Sequence, residues 1–106
     1  MIWYVYILNC RGGRLYTGVA LDVVQRFEAH CAGKGARFTR AFLPESIMAQ
    51  WPCVNQRVAL QLEYAIKQLS AADKKAFAAG QHGKVGKHLR FEDCMWSAPP
   101  TVIDED

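Results

Sequence analysis

The feature that most restricts the fold lies at the start of the chain. There Trp3-Tyr4-Val5-Tyr6-Ile7-Leu8-Asn9 leads into Arg11-Gly12-Gly13-Arg14, and Leu15-Tyr16-Thr17-Gly18-Val19 follows. Aromatic and β-branched side chains suit a pleated, half-buried surface, so both apolar segments read as strands. The glycine pair supplies the positive φ that a tight reversal requires. Together they predict a β-hairpin that brings Tyr6 and Tyr16 near each other.

The remaining pattern is helical with one interruption. Asp22 serves as an N-cap, and Leu21, Val24, Phe27 and Cys31 recur at three- and four-residue spacing, which predicts a helix over 22–32 with those residues on its apolar face. Gly33 and Gly35 end that helix or let the backbone approach a phosphate. They open a loop, Gly33-Lys34-Gly35-Ala36-Arg37-Phe38-Thr39-Arg40, with three cationic side chains. After Pro44, residues 46–54 predict a third strand, with Pro52 marking an edge or an end. Asn55 caps a second helix whose core stripe is Val58, Leu62, Ala65, Ile66 and Leu69. Ser70 with Asp73 starts a short third helix that Gly80 stops.

The expected order is therefore ββαβαα. The fold class is α+β, a small three-stranded antiparallel sheet flanked by helices. Residues 1–80 form the domain, and 81–106 read as a C-terminal tail, mostly loop, tied down by Phe91 and Trp96. Trp3, Trp51 and Trp96 are assigned to the core.

Composition narrows the function classes. At 106 residues the chain is expected to be one small domain with no room for a second catalytic unit. It is 51% apolar and 22% charged, and no segment approaches the roughly 20 consecutive apolar residues of a membrane span, so a soluble, cytoplasmic protein is expected. The apolar start lacks a basic flank and a small-residue cleavage site, unlike a signal peptide. Cys10, Cys31, Cys53 and Cys94 have no CxxC spacing, which argues against a zinc site or a disulfide framework. A net charge of +3 with 13 Lys and Arg permits a polyanionic partner without demanding one.

Five residues carry the chemistry. Tyr6 and Tyr16 lie ten residues apart, Arg26 follows ten later, and Arg26 and His30 are four apart on the first predicted helix, on a face offset from its apolar stripe. Glu63 flanks the core stripe of the second helix, where its carboxylate offers a hard oxygen ligand to a divalent ion. Each has an ordinary reading when taken alone: packed strand tyrosines, a solvated arginine, a capping histidine, an exposed helix acid.

In combination these segments resemble the GIY-YIG nuclease superfamily. The resemblance is carried by Val5-Tyr6-Ile7, Leu15-Tyr16-Thr17-Gly18-Val19, Arg26-Phe27-x-x-His30, the loop from Gly33 to Arg40, and Glu63 with Lys67, and it covers about residues 2–79. It is nearest to the small single-domain bacterial members and to the nuclease domain of structure-specific endonucleases. Val5 replaces the glycine and Thr17 the isoleucine of the name-giving motif, sparing both tyrosines.

The resemblance implies metal-dependent hydrolysis of DNA phosphodiester bonds, possible selectivity for DNA structure, and a place in DNA repair or processing. Tyr6, Tyr16, Arg26, His30 and Glu63 are the implied catalytic residues, with one Mg²⁺ or Mn²⁺ held by Glu63. Tyr6 is favoured as general base and Tyr16 as the residue that positions water or phosphate, although the two roles are open to exchange. A tyrosine with its ordinary pKa near 10 is a poor base at neutral pH and needs help from a cation, metal-bound water or His30. Arg26 clamps phosphate through paired hydrogen bonds. Lys34, Arg37, Arg40 and Lys67 would contact the DNA backbone. The alternatives are a non-catalytic nucleic-acid-binding module of the same fold and a small protein-binding adaptor. A monomer, a homodimer and a partner that supplies specificity are all compatible with the chain.

Overall fold

The computed structural model describes residues 1–80. The expectations for the tail 81–106, including Phe91 and Trp96, lie outside the described residues. The hairpin forms from β1 (Trp3–Cys10) and β2 (Arg14–Ala20), which pair antiparallel with Tyr6 opposite Gly18 and Leu8 opposite Tyr16. Gly12 and Gly13 make the reversal at φ 75° and 71°, a conformation that side chains with a Cβ rarely adopt. A third strand, β3 (Pro44–Cys53), pairs antiparallel with the other side of β1 and gives the order β2-β1-β3. Edge position explains how β3 accommodates both Pro44 and Pro52, since proline lacks the N–H that an interior ladder needs.

Among the described residues four α-helices complete the fold: α1 (Val23–Cys31), α2 (Arg37–Ala41), α3 (Gln56–Lys67) and α4 (Ala71–Ala78). Three begin on side-chain caps. Asp22 accepts from the Gln25 N–H at 3.0 Å, Asn55 from Val58 at 2.9 Å and Ser70 from Asp73 at 3.1 Å. Each cap satisfies an amide that the helix itself leaves unpaired.

Alternation along β1 divides the interior in two. Val5 and Ile7 face α3 and join Trp51, Cys53, Val58, Ala59, Leu62, Ile66 and Phe77 in one cluster. Tyr6, Leu8 and Cys10 face the opposite way and pack with Ala20, Val23 and the partly buried Tyr16, Phe27 and Phe42. Trp3 is half-buried against the first cluster rather than enclosed in it. Among the described residues Cys10 and Cys31 are free thiols, and no helix is long and apolar enough to cross a membrane.

Two expectations are corrected. The segment expected as a loop from Gly33 to Arg40 runs into α2 from Arg37, so the order is ββααβαα. A five-residue helix is too short for periodicity to reveal or for propensity to hold, and tertiary contacts at Phe38 and Thr39 sustain it. The expected apolar face of α1 is also displaced. Leu21, Val24 and Cys31 are exposed, while Val23 and His30 are buried and Phe27 is half-buried. Both faces of this nine-residue helix carry apolar groups, and His30's polar partners decide which turns inward.

The interior face of α3 sets a direct test. Leu62→Ala, at a fully buried position, should lower stability by roughly 2–5 kcal/mol in urea unfolding. Leu60→Ala, two residues away and 45% exposed, should change it by no more than about 0.5 kcal/mol.

Candidate active site

The buried polar groups of the second cluster form one chain of hydrogen bonds. Tyr6 Oη lies 3.0 Å from His30 Nε2, His30 Nδ1 lies 2.7 Å from Thr39 Oγ1, and the Thr39 hydroxyl donates to the Ala36 carbonyl at 2.9 Å. Counting protons fixes the direction. A carbonyl only accepts, so the single Thr39 proton is committed to Ala36 and the hydroxyl must accept from His30 Nδ1–H. A neutral imidazole has one N–H, which leaves Nε2 as a lone pair that accepts from Tyr6 Oη–H.

Electrostatics agree with that assignment. Burial, with the nearby Arg26 guanidinium as a second cause, pushes the His30 pKa below its ordinary 6.5 and keeps the ring neutral. Burial is also the main reason the Tyr6 hydroxyl is pushed well above its ordinary 10, with Tyr16 and Glu63 adding to the rise and Arg26 opposing it. Tyr6 therefore holds its proton at neutral pH and donates it to His30.

Two glycines make room for this chain. A Cβ on Gly18, across the hairpin from Tyr6, would stand 2.6 Å from Tyr6 Oη and 3.1 Å from the Tyr16 ring. A Cβ on Gly35 would run into the His30 imidazole. The two glycines after α1 thus have different tasks. Gly33, at φ 76°, turns the chain in the left-handed conformation that glycine tolerates, and Gly35 clears space for the ring.

Tyr16 packs beside both members of the Tyr6–His30 pair. The half-buried Tyr16 ring lies 5.1 Å from His30 and 6.4 Å from Tyr6, centroid to centroid. Arg26 is exposed one turn before His30, and its charge acts on both His30 and Tyr6. Glu63 comes from α3, on the other side of the sheet, yet its charge also reaches Tyr6. Its side chain is 17% exposed and forms an ion pair with Lys67 at 3.1 Å. Lys34, Arg37 and Arg40 are exposed on the segment that leads into and forms α2, on the His30 side of the sheet.

His30 therefore occupies the inward face of α1 rather than a face offset from the apolar one. Sequence reasoning missed Thr39, the residue that orients it. Its one visible signal was a β-branched hydroxyl between Phe38 and Arg40 in a segment read as a loop. Among the described residues no group of three or more His, Cys, Asp or Glu side chains is assembled for a metal. Glu63 supplies one hard carboxylate. That donor set fits an ion such as Mg²⁺, which keeps several waters and takes further oxygens from phosphate.

The chain is 46% identical over 77 residues to a UPF0213 protein of Cupriavidus pinatubonensis, covering 73% of this chain and 86% of the relative. It is 38% identical over 99 residues to a UPF0213 protein of Cronobacter sakazakii, covering 93% and 96%. A solution NMR structure of a UPF0213 protein from Bacillus halodurans is 37% identical, with 82% of this chain and 96% of that chain covered at a TM-score of 0.49. The family model described as the GIY-YIG catalytic domain matches residues 2–76, the span that holds every residue of the site, and the chain belongs to that nuclease-type family.

Proposed function

We propose that the protein is a divalent-metal-dependent endonuclease that hydrolyses DNA phosphodiester bonds in repair or processing. The observation that carries this reading is the directed chain Tyr6–His30–Thr39, with the charges of Arg26 and Glu63 converging on its Tyr6 end.

Because Tyr6 keeps its proton at neutral pH, it cannot serve as a ready-made phenolate, and the proton must be relayed. A water beside Tyr6 attacks phosphorus and gives a proton to Tyr6 Oη, while Tyr6 passes its own proton to His30 Nε2. The resulting imidazolium keeps its Nδ1–H on Thr39, so the ring does not turn as it charges. The phosphorus to 3′-oxygen bond breaks, the leaving oxygen gains a proton from solvent, and His30 returns its extra proton to Tyr6 Oη as the Tyr6 proton passes on to solvent. Arg26 forms paired hydrogen bonds to phosphate oxygens and balances the extra negative charge of the transition state. Tyr16 holds the water or the phosphate in line. Glu63 would hold one Mg²⁺ or Mn²⁺, which when bound supplies Lewis-acid stabilisation of the scissile phosphate. Lys34, Arg37, Arg40 and Lys67 contribute sequence-independent affinity for the DNA backbone.

Cleavage assays on branched, flap, nicked and single-stranded DNA with Mg²⁺ or Mn²⁺ test this. Glu63→Ala should abolish cleavage. Tyr6→Phe and His30→Gln should each slow it by roughly 10²- to 10⁴-fold, with the double variant no slower than the worse single one. Retained cleavage in Tyr6→Phe with loss in Tyr16→Phe would exchange the roles of the two tyrosines. Binding without cleavage by the wild type would leave the non-catalytic nucleic-acid-binding module.

The same groups set a pH profile for stability. The His30 pKa is lower folded than unfolded, so the unfolded chain takes up a proton first and stability falls as pH drops from about 6.5 toward the folded value. The Tyr6 pKa is higher folded, so its contribution is complete below about pH 10 and is lost as pH rises through the range above it. Urea midpoints measured from pH 5 to 8 should decline on the acid side for the wild type and flatten in His30→Gln. Parallel profiles would remove His30 from the account.

A further inference from the structure

An aromatic path leaves the site through α2 and reaches solvent. Phe38 lies nearly parallel to Tyr16, with an interplanar angle of 28° and 6.0 Å between centroids. It also meets Phe42 at 5.2 Å, and the Arg14 guanidinium stands 4.3 Å above the Phe42 ring. Phe38 is 36% exposed, although an aromatic ring beside a core is ordinarily driven out of water. Three cations within four residues of it are exposed: Lys34, Arg37 and Arg40. Thr39, the next residue, points inward and locks His30. The five-residue helix thus turns one side chain to the proton relay and the adjacent one outward.

We propose that Phe38 is a stacking platform for an unpaired nucleobase next to the phosphate to be cleaved, which makes it a specificity-determining residue. The inference rests on the nuclease reading above and names what its substrate must present. A paired base has both faces covered by its neighbours and cannot lie on a protein ring without leaving the stack. An unpaired base offers a free face, and surrounding cations hold the adjoining phosphates. The charges flanking Phe38 have the sign for that task, and its contact with Tyr16 joins the platform to the catalytic tyrosines. The substrate class is therefore nucleic acid with at least one unstacked nucleotide at the cleavage position, whether in a single strand, a flap or a distorted duplex.

Binding measured by fluorescence anisotropy in EDTA tests this without calling on cleavage. Phe38→Leu keeps apolar contact with Tyr16 and Phe42 but removes the ring. It should weaken affinity for a single-stranded oligonucleotide by about tenfold, the size expected from one stacked base, while affinity for a fully paired duplex stays the same. Phe38→Trp should retain the wild-type preference. Equal losses on both ligands, or no loss on either, would overturn the proposal. A second measurement needs no variant: 2-aminopurine moved along the strand should lose fluorescence at one position when the wild type binds, and unchanged fluorescence at every position would overturn it. Absence of cleavage in a separate Mg²⁺ assay would refute the nuclease reading and leave these binding results standing.

Discussion

The arrangement depends on a histidine ring that is hydrogen-bonded at both nitrogens inside the protein. Tyr6, His30 and Thr39 are each 2% exposed or less, and none of them could be buried alone. A polar group enclosed without a partner costs about 1–3 kcal/mol, which is large against the marginal stability of a domain this size. Linked head to tail and terminated on the Ala36 carbonyl, the three satisfy one another. Because they come from β1, α1 and α2, the same bonds fix how the first helix and the short second one sit on the sheet.

Functional consequences follow from that burial. Enclosure keeps the imidazole neutral and the phenol protonated, so the proton lies on tyrosine with an acceptor already in place. A site built this way needs no ionised tyrosine at neutral pH. What it needs is a charge balance around Tyr6, and Arg26 and Glu63 provide opposite signs there from helices on opposite sides of the sheet. Under the proposed function, a metal on Glu63 would be shared with phosphate and water, since among the described residues no cluster of three or more ligating side chains is assembled to cage it.

Much of this was legible in the sequence, for identifiable reasons. Signals with a self-contained mechanism survived: the glycine turn of the hairpin, the caps Asp22, Asn55 and Ser70, and the inward face of α3. Strand β3 was legible although it begins two residues earlier than expected, at Pro44, because an edge strand tolerates proline. The pattern of site residues also pointed to Tyr6, Tyr16 and His30, whose rings lie side by side in the structure. What failed was local and tertiary. Nothing in the pattern of α1 tells Val23 from Val24, since the choice is made by a hydrogen bond to a strand and another to a segment nine residues on. Helix α2 escaped for the same reason, and with it the roles of Thr39 and Phe38. Gly35 looked like a helix stop because clearance for a ring leaves no trace in one sequence.

The direction of the hydrogen-bond chain is the claim on which the rest stands, and ring nitrogen NMR reads it directly. Long-range ¹H–¹⁵N correlation spectra of the histidine side chains at pH 7 should show His30 neutral, with the proton on Nδ1 and Nε2 as the lone-pair nitrogen. His30 protonated on Nε2, or charged at that pH, would contradict the account.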